Sequence, residues 1–245
     1  MSYARVSLII LILVLCWPKP VIAAITIGNV SNSGEKTATP FSWSHNSNGD
    51  FLIVGVNVRD FSDTISSVTY AGTSMTELRE DGGADAFRAR TAIYYLVNPA
   101  SGANTVEVTL SGAPEDASAG AISMSGVDQT TPVDVAGGAG TTGTSEAASQ
   151  AITPVTDGAW TMAAMTLSID RTTTIGAAQT ERWAIGYVTA NGRGLGSTSD
   201  AAISPPASKT MNWTWTTSTN WAISVAAVRP SAAATPQRTL LGVGQ

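Results

Sequence analysis

Apolar and polar residues alternate with a period of two along most of this chain, and no long stretch carries a helical period. The cleanest case is Thr105-Val106-Glu107-Val108-Thr109-Leu110, where the valines and Leu110 point one way and the polar residues the other. Residues 50–60 (DFLIVGVNVRD) are almost continuously apolar, which predicts a central strand covered on both faces. Further strands are predicted at 24–30, 40–46, 67–71, 88–97, 119–127, 159–169, 180–188, 208–216 and 220–229. Gly, Asn, Asp and Pro separate them at intervals of about ten residues, the signature of an all-β sandwich.

The second half of the chain echoes the first. GDFLIVGV at 49–56 matches DGAWTMAA at 157–164, and AISMSGV at 121–127 matches AISVAAV at 222–228. Both members of the second pair follow an alternating strand, 105–110 and 210–215. The repeat is longer than that of a solenoid and predicts a duplicated half-sandwich. The expected organisation is one domain over 24–230, with halves at 24–127 and 151–230, a connector at 128–150 and a tail at 231–245. The Ala/Pro-containing tail is a candidate for pairing with a neighbouring sheet edge.

The first residues read as a signal. Arg5 precedes an apolar run from Val6 to Trp17, broken only by Ser7, and Val21-Ile22-Ala23 supplies small residues for cleavage after Ala23. The run is too short to span a bilayer as a helix. Leu15 before Cys16 does not suit a lipoprotein signal. Cleavage removes Arg5 and Lys19, two of the 13 basic residues, and the single cysteine, while all 18 acidic residues remain. The expected product is secreted to the extracellular space or cell surface, with no membrane association once processed and no disulfide. Its acidic balance, net −5 before processing, argues against nucleic acid as a partner.

Candidate chemistry is sparse. His45 is the only histidine and ends a predicted strand, so it reads as structural rather than as a general base. GAGTTG at 138–143 and GRGLG at 192–196 lack the strand and helix that a nucleotide loop needs. Carboxylates remain: Glu77, Glu80, Asp81 and Asp85 in one segment, Asp128 and Asp134 around a turn. A glycan hydrolase would need two of them facing across a cleft, and the pattern reads better as solvated loops, so no catalytic residue is assigned. Asp81 and Asp85 are candidate calcium ligands, since calcium requires only oxygen donors. Alternation directs Trp213 and Trp215 inward, with Trp221 on a second core face of an expected hairpin over Lys209–Arg229. Trp43, Trp160 and Trp183 lie on less regular strands and are the candidates for an exposed sugar-stacking surface.

Five segments together resemble a widespread class of secreted bacterial and phage-associated β-sandwich proteins. They are SVTYAGTSMT at 67–76, YYLVNP at 94–99, NTVEVTLSG at 104–112, SGVDQTTP at 125–132 and NWAISVAAVRP at 220–230. The resemblance covers roughly residues 45–230 and implies a jelly-roll-like domain acting outside the cell. It carries no activity or site residues across. The expected function is a non-catalytic module binding an extracellular glycan or surface polymer. The alternative is a structural subunit of a fibre or coat that self-associates through sheet edges or its tail.

Overall fold

The computed structural model describes residues 23–62, 64–82 and 87–232. The expected signal, apart from Ala23, therefore lies outside the described residues, as do Asp85 and the tail beyond residue 232.

Fifteen strands and no helix make up the described chain. The first half holds β1 (Thr26–Asn32), β2 (Phe41–Ser47), β3 (Phe51–Arg59), β4 (Ile65–Tyr70) and β5 (Thr73–Ser74). It continues with β6 (Thr76–Gly82), β7 (Arg90–Val97), β8 (Gly102–Leu110) and β9 (Asp116–Ser125). The second half holds β10 (Ala139–Ile152), β11 (Trp160–Leu167), β12 (Thr174–Ile175), β13 (Gln179–Gly186), β14 (Arg193–Ser199) and β15 (Lys209–Val228). All paired strands are antiparallel.

In the first half an inner sheet, β1-β9-β3-β7-β6, lies under an outer sheet, β2-β8-β4-β5. In the second, β10-β15-β11-β14-β13 repeats the inner order strand for strand. Its outer layer is the far end of β10, the near end of β15, and β12. Each half is thus a complete β-sandwich rather than half of one. In the first, separate strands serve the two layers: β1 and β2 are divided by residues 33–40, β8 and β9 by 111–115. In the second, β10 and β15 run unbroken through both layers. They turn the corner at a register shift between Ser145 and Ala147 and at Thr217, whose φ is 73°. The expected hairpin at Lys209–Arg229 is therefore one bent strand, because pairing to β10 continues on both sides of Thr217.

The expected connector contracts for the same reason. Residues 139–150 belong to β10, and Val133 already bridges to Val228, so only the turn at 128–132 separates the halves.

The duplication is visible in single rows across the inner sheets. Asn32, Gly120, Gly55, Ile93 and Arg79 stand side by side in the first. Gly140, Ser224, Ala164, Gly196 and Trp183 stand side by side in the second. Each edge strand carries its register shift at the same place, between Glu77 and Arg79 in β6 and between Glu181 and Trp183 in β13. The outer layers match too, Phe41-Val108-Val68 against Ala148-Trp213-Ile175.

The inner sheets pack face to face, β3 against β11, with β6 reaching β10 and β15 while β13 reaches β1 and β9. This reciprocal crossing is that of an isologous dimer, here within one chain. Three apolar layers result. One lies inside the first sandwich, including Leu52, Val54, Tyr94 and Val108. A second lies inside the other, including Met165, Leu195, Trp213 and Ile223. The third lies between the inner sheets, including Phe51, Ile53, Ile122, Met162 and Trp183. β3 is covered on both faces and buried at every position, as its almost continuous apolar run requires.

Candidate functional site

The six described tryptophans form no stacking platform. Trp213, Trp215 and Trp221 are buried, as their alternation demands. Trp183, expected outside, is only 3% exposed. Its ring covers Gly55, Gly120 and Gly196, and its indole N–H donates to Asn57 Oδ1 at 3.1 Å. The irregular alternation of its strand comes from the register shift beside it, not from exposure. Trp160 is half-buried in the layer between the sandwiches, its indole nitrogen enclosed without a hydrogen-bond partner. Trp43 is half-buried at the rim of the first core and donates to Ser31 Oγ at 2.9 Å.

The carboxylates have structural partners. Both oxygens of Asp81 accept from the Arg79 guanidinium, at 2.6 and 2.7 Å, and one also accepts from Ser224 Oγ. The candidate calcium ligand thus already has a cation on both oxygens, and among the described residues no group of three acidic, histidine or cysteine side chains could hold a metal. Glu80 pairs with Arg90, and Glu77 accepts from Tyr94 Oη. Asp128 caps its turn by accepting from Thr130 and Thr131 N–H, which hold its carboxyl below the usual range. Burial pushes the Asp134 carboxyl up, but Thr156, Val155 and Arg229 donate to it and lower it on balance.

His45 is 1% exposed and sits in a closed hydrogen-bond chain. Its Nδ1 meets Ser31 Oγ and its Nε2 meets Ser123 Oγ, both at 2.8 Å, and Ser123 in turn donates to Ser47. Ser123 therefore accepts from Nε2–H, and Nδ1 accepts from Ser31 while Ser31 accepts from Trp43. Burial pushes the ring down to about 4, so it is neutral at pH 7 and structural.

Two features escaped the pattern. One is a carboxyl pair, Glu35 and Asp116, the second of them completely buried. The other is the polar surface of the outer layers. On the first, Ser42, Ser44, Asn46, Thr105 and Glu107 are exposed and adjacent across β2 and β8. On the second, Ser149, Thr210, Thr214 and Thr174 are exposed on β10, β15 and β12. The alternation marked Thr105, Glu107 and Thr214 as outward, but Ser149 fell in the expected connector and Thr174 in no predicted strand, so the two rows could not be seen as counterparts.

By fold the chain is a tandem β-sandwich. No family model, no curated protein and no solved structure matches it.

Proposed function

We propose that this is a secreted, non-catalytic module that binds extracellular hydroxyl-rich polymers, carbohydrate first among them, on its outer sheet faces. The observation supporting this is the pair of hydroxyl-bearing faces described above, each backed by a rigid core. Hydroxyl groups held on paired strands can exchange hydrogen bonds with sugar hydroxyls directly or through water. With no exposed tryptophan among the described residues, binding is polar and weak per site. The duplication makes it divalent, so avidity supplies the retention. Affinity electrophoresis of the chain from Ala24 through gels containing soluble polysaccharides tests this reading. Retardation that is lost with Ser44→Arg and Thr105→Arg together supports it; unretarded migration in every polysaccharide overturns it.

A second reading, a self-assembling structural subunit, is favoured by one contact. Ser231 N–H donates to Gly126 O. Ser231 therefore lies beside the end of β9, and on this reading the residues that follow pair with a neighbouring copy. Light scattering on the chain with and without residues 233–245 tests it; assembly that depends on the tail supports it, and monomers in both forms exclude it.

A further inference from the structure

Where the 187–192 turn between β13 and β14 meets the first sandwich, two carboxyl groups face each other. Asp116 is completely buried, and neither of its oxygens has a well-formed hydrogen-bond partner. Glu35, on the segment between β1 and β2, lies against it. The turn of the second sandwich offers its backbone N–H groups to this pair. Thr189 N–H donates to Glu35 Oε1 at 2.8 Å, Val188 N–H also points to Glu35, and Ala190 N–H faces Asp116.

Among the described residues no cation forms an ion pair with either carboxyl, although the charge of Arg59 draws the Asp116 carboxyl down in part. Arg59, beside Asp116 across β3 and β9, donates to Ser168 O and pairs with Glu115. Arg88 also pairs with Glu115. Tyr187 Oη bonds Ser118 Oγ at 2.8 Å, and Lys36, whose backbone bridges to Ala117, forms no ion pair with either carboxyl. Two ionised carboxylates in contact repel strongly where one of them is buried. Successive backbone N–H groups form a concavity that suits an anion, not a cation.

We propose that Asp116 and Glu35 share a single proton, and that this proton holds the 187–192 turn of the second sandwich on the first. Protonated Asp116 donates to Glu35, whose single negative charge is gripped by the Val188 and Thr189 N–H groups. Loss of the proton leaves two charges in contact and loosens the turn, making one end of the interface between the sandwiches pH-sensitive. Burial and the neighbouring Glu35 push the Asp116 carboxyl up to about 7, which puts the release near neutral pH. The N–H groups from the turn outweigh burial at Glu35 and hold it low.

Amide hydrogen exchange on the chain from Ala24, corrected for intrinsic rates, tests this. Protection at Thr189 should fall by roughly tenfold or more between pH 5.5 and 8.5, while amides of β8 stay unchanged. Asp116→Asn carries its own donor and should keep Thr189 protected at both pH values. Glu35→Gln, on the segment outside the strand, should do the same and serves if the first variant fails to fold. Equal protection of the parent at both pH values overturns the proposal, and so does a pH-dependent loss that persists in either folded variant. Restoration of protection at pH 8.5 by calcium chloride alone also overturns it, because a cation would then bridge the pair.

Discussion

The edges of the two inner sheets occupy equivalent places and are filled by opposite chemistry. Beyond the register shift, β13 carries Trp183 and Ile185, whereas β6 carries Arg79 and Asp81. Trp183 lies over Gly55 and Gly120 of the other sandwich, and a Cβ on Gly55 would come within 2.9 Å of its ring. At the reciprocal edge the position of Gly120 is taken by Ser224, which donates to Asp81. The Arg79 guanidinium reaches the carbonyls of Gly137 and Gly140. One backbone arrangement thus accepts either an indole in a glycine notch or a bidentate ion pair on a hydroxyl. Small residues opposite the edge strand matter for the first, and satisfied polar atoms for the second.

The largest break in this comparison should come from Trp183→Ala. It empties the notch and leaves Asn57 Oδ1 without its donor, and should cost about 3–5 kcal/mol in urea denaturation. A smaller, pH-dependent difference separates the outer layers, where His45 stands in the place that Ile152 takes in the second half. The folded-state pKa of His45 lies below its unfolded value, so its stabilisation is complete above pH 6.5 and is lost as the pH falls toward 4. The loss amounts to about 3 kcal/mol. His45→Ile should flatten that acid slope in denaturation midpoints measured from pH 7 to 4.

Arg79→Leu should cost about 2 kcal/mol, less than a fully buried pair because Arg79 is partly exposed. The combined exchange Arg79→Trp, Asp81→Ile and Ser224→Gly copies one edge onto the other only in part, because Ala164 and Ile93 keep their side chains where Gly55 and Gly196 make room for Trp183. Its stability should fall by more than in the single Arg79→Leu change, and parent-like stability would show that the indole does not need its glycines. The smallest effect is expected from Trp43→Phe, which removes only the bond to Ser31 and should cost about 1 kcal/mol in the same assay.

Strands with one wet face were plain in the sequence. Thr105–Leu110 alternates because β8 lies in an outer layer, and Trp213 and Trp215 followed from the same rule. Strands dry on both faces were found but could not be registered. Matching 49–56 with 157–164 places Ile53 opposite Thr161, whereas the sheet rows set Gly55 against Ala164 and hence Ile53 against Met162. With no polar face to fix the period, a slip by one residue leaves the pattern unchanged. β10 was hidden for a different reason. Its Ala, Gly, Ser and Thr composition resembles a linker, and only pairing with β15 along its whole length makes it a strand.

The position of Trp183 was illegible because the glycines that admit it come from three separate strands. The Glu35–Asp116 pair was equally hidden, since its residues lie far apart in sequence and meet only where one sandwich touches the other.

The meeting of Ala24 and Ser231 at Gly126 sets how the molecule bears load. Gly126 lies against the Ala24 carbonyl and accepts from Ser231 N–H, so tension applied between the two ends pulls neighbouring segments apart one hydrogen bond at a time. Neither core lies in the path of that force. A molecule held by one end and drawn by the other would hang from a single pole, with both sandwiches folded and slack beneath it.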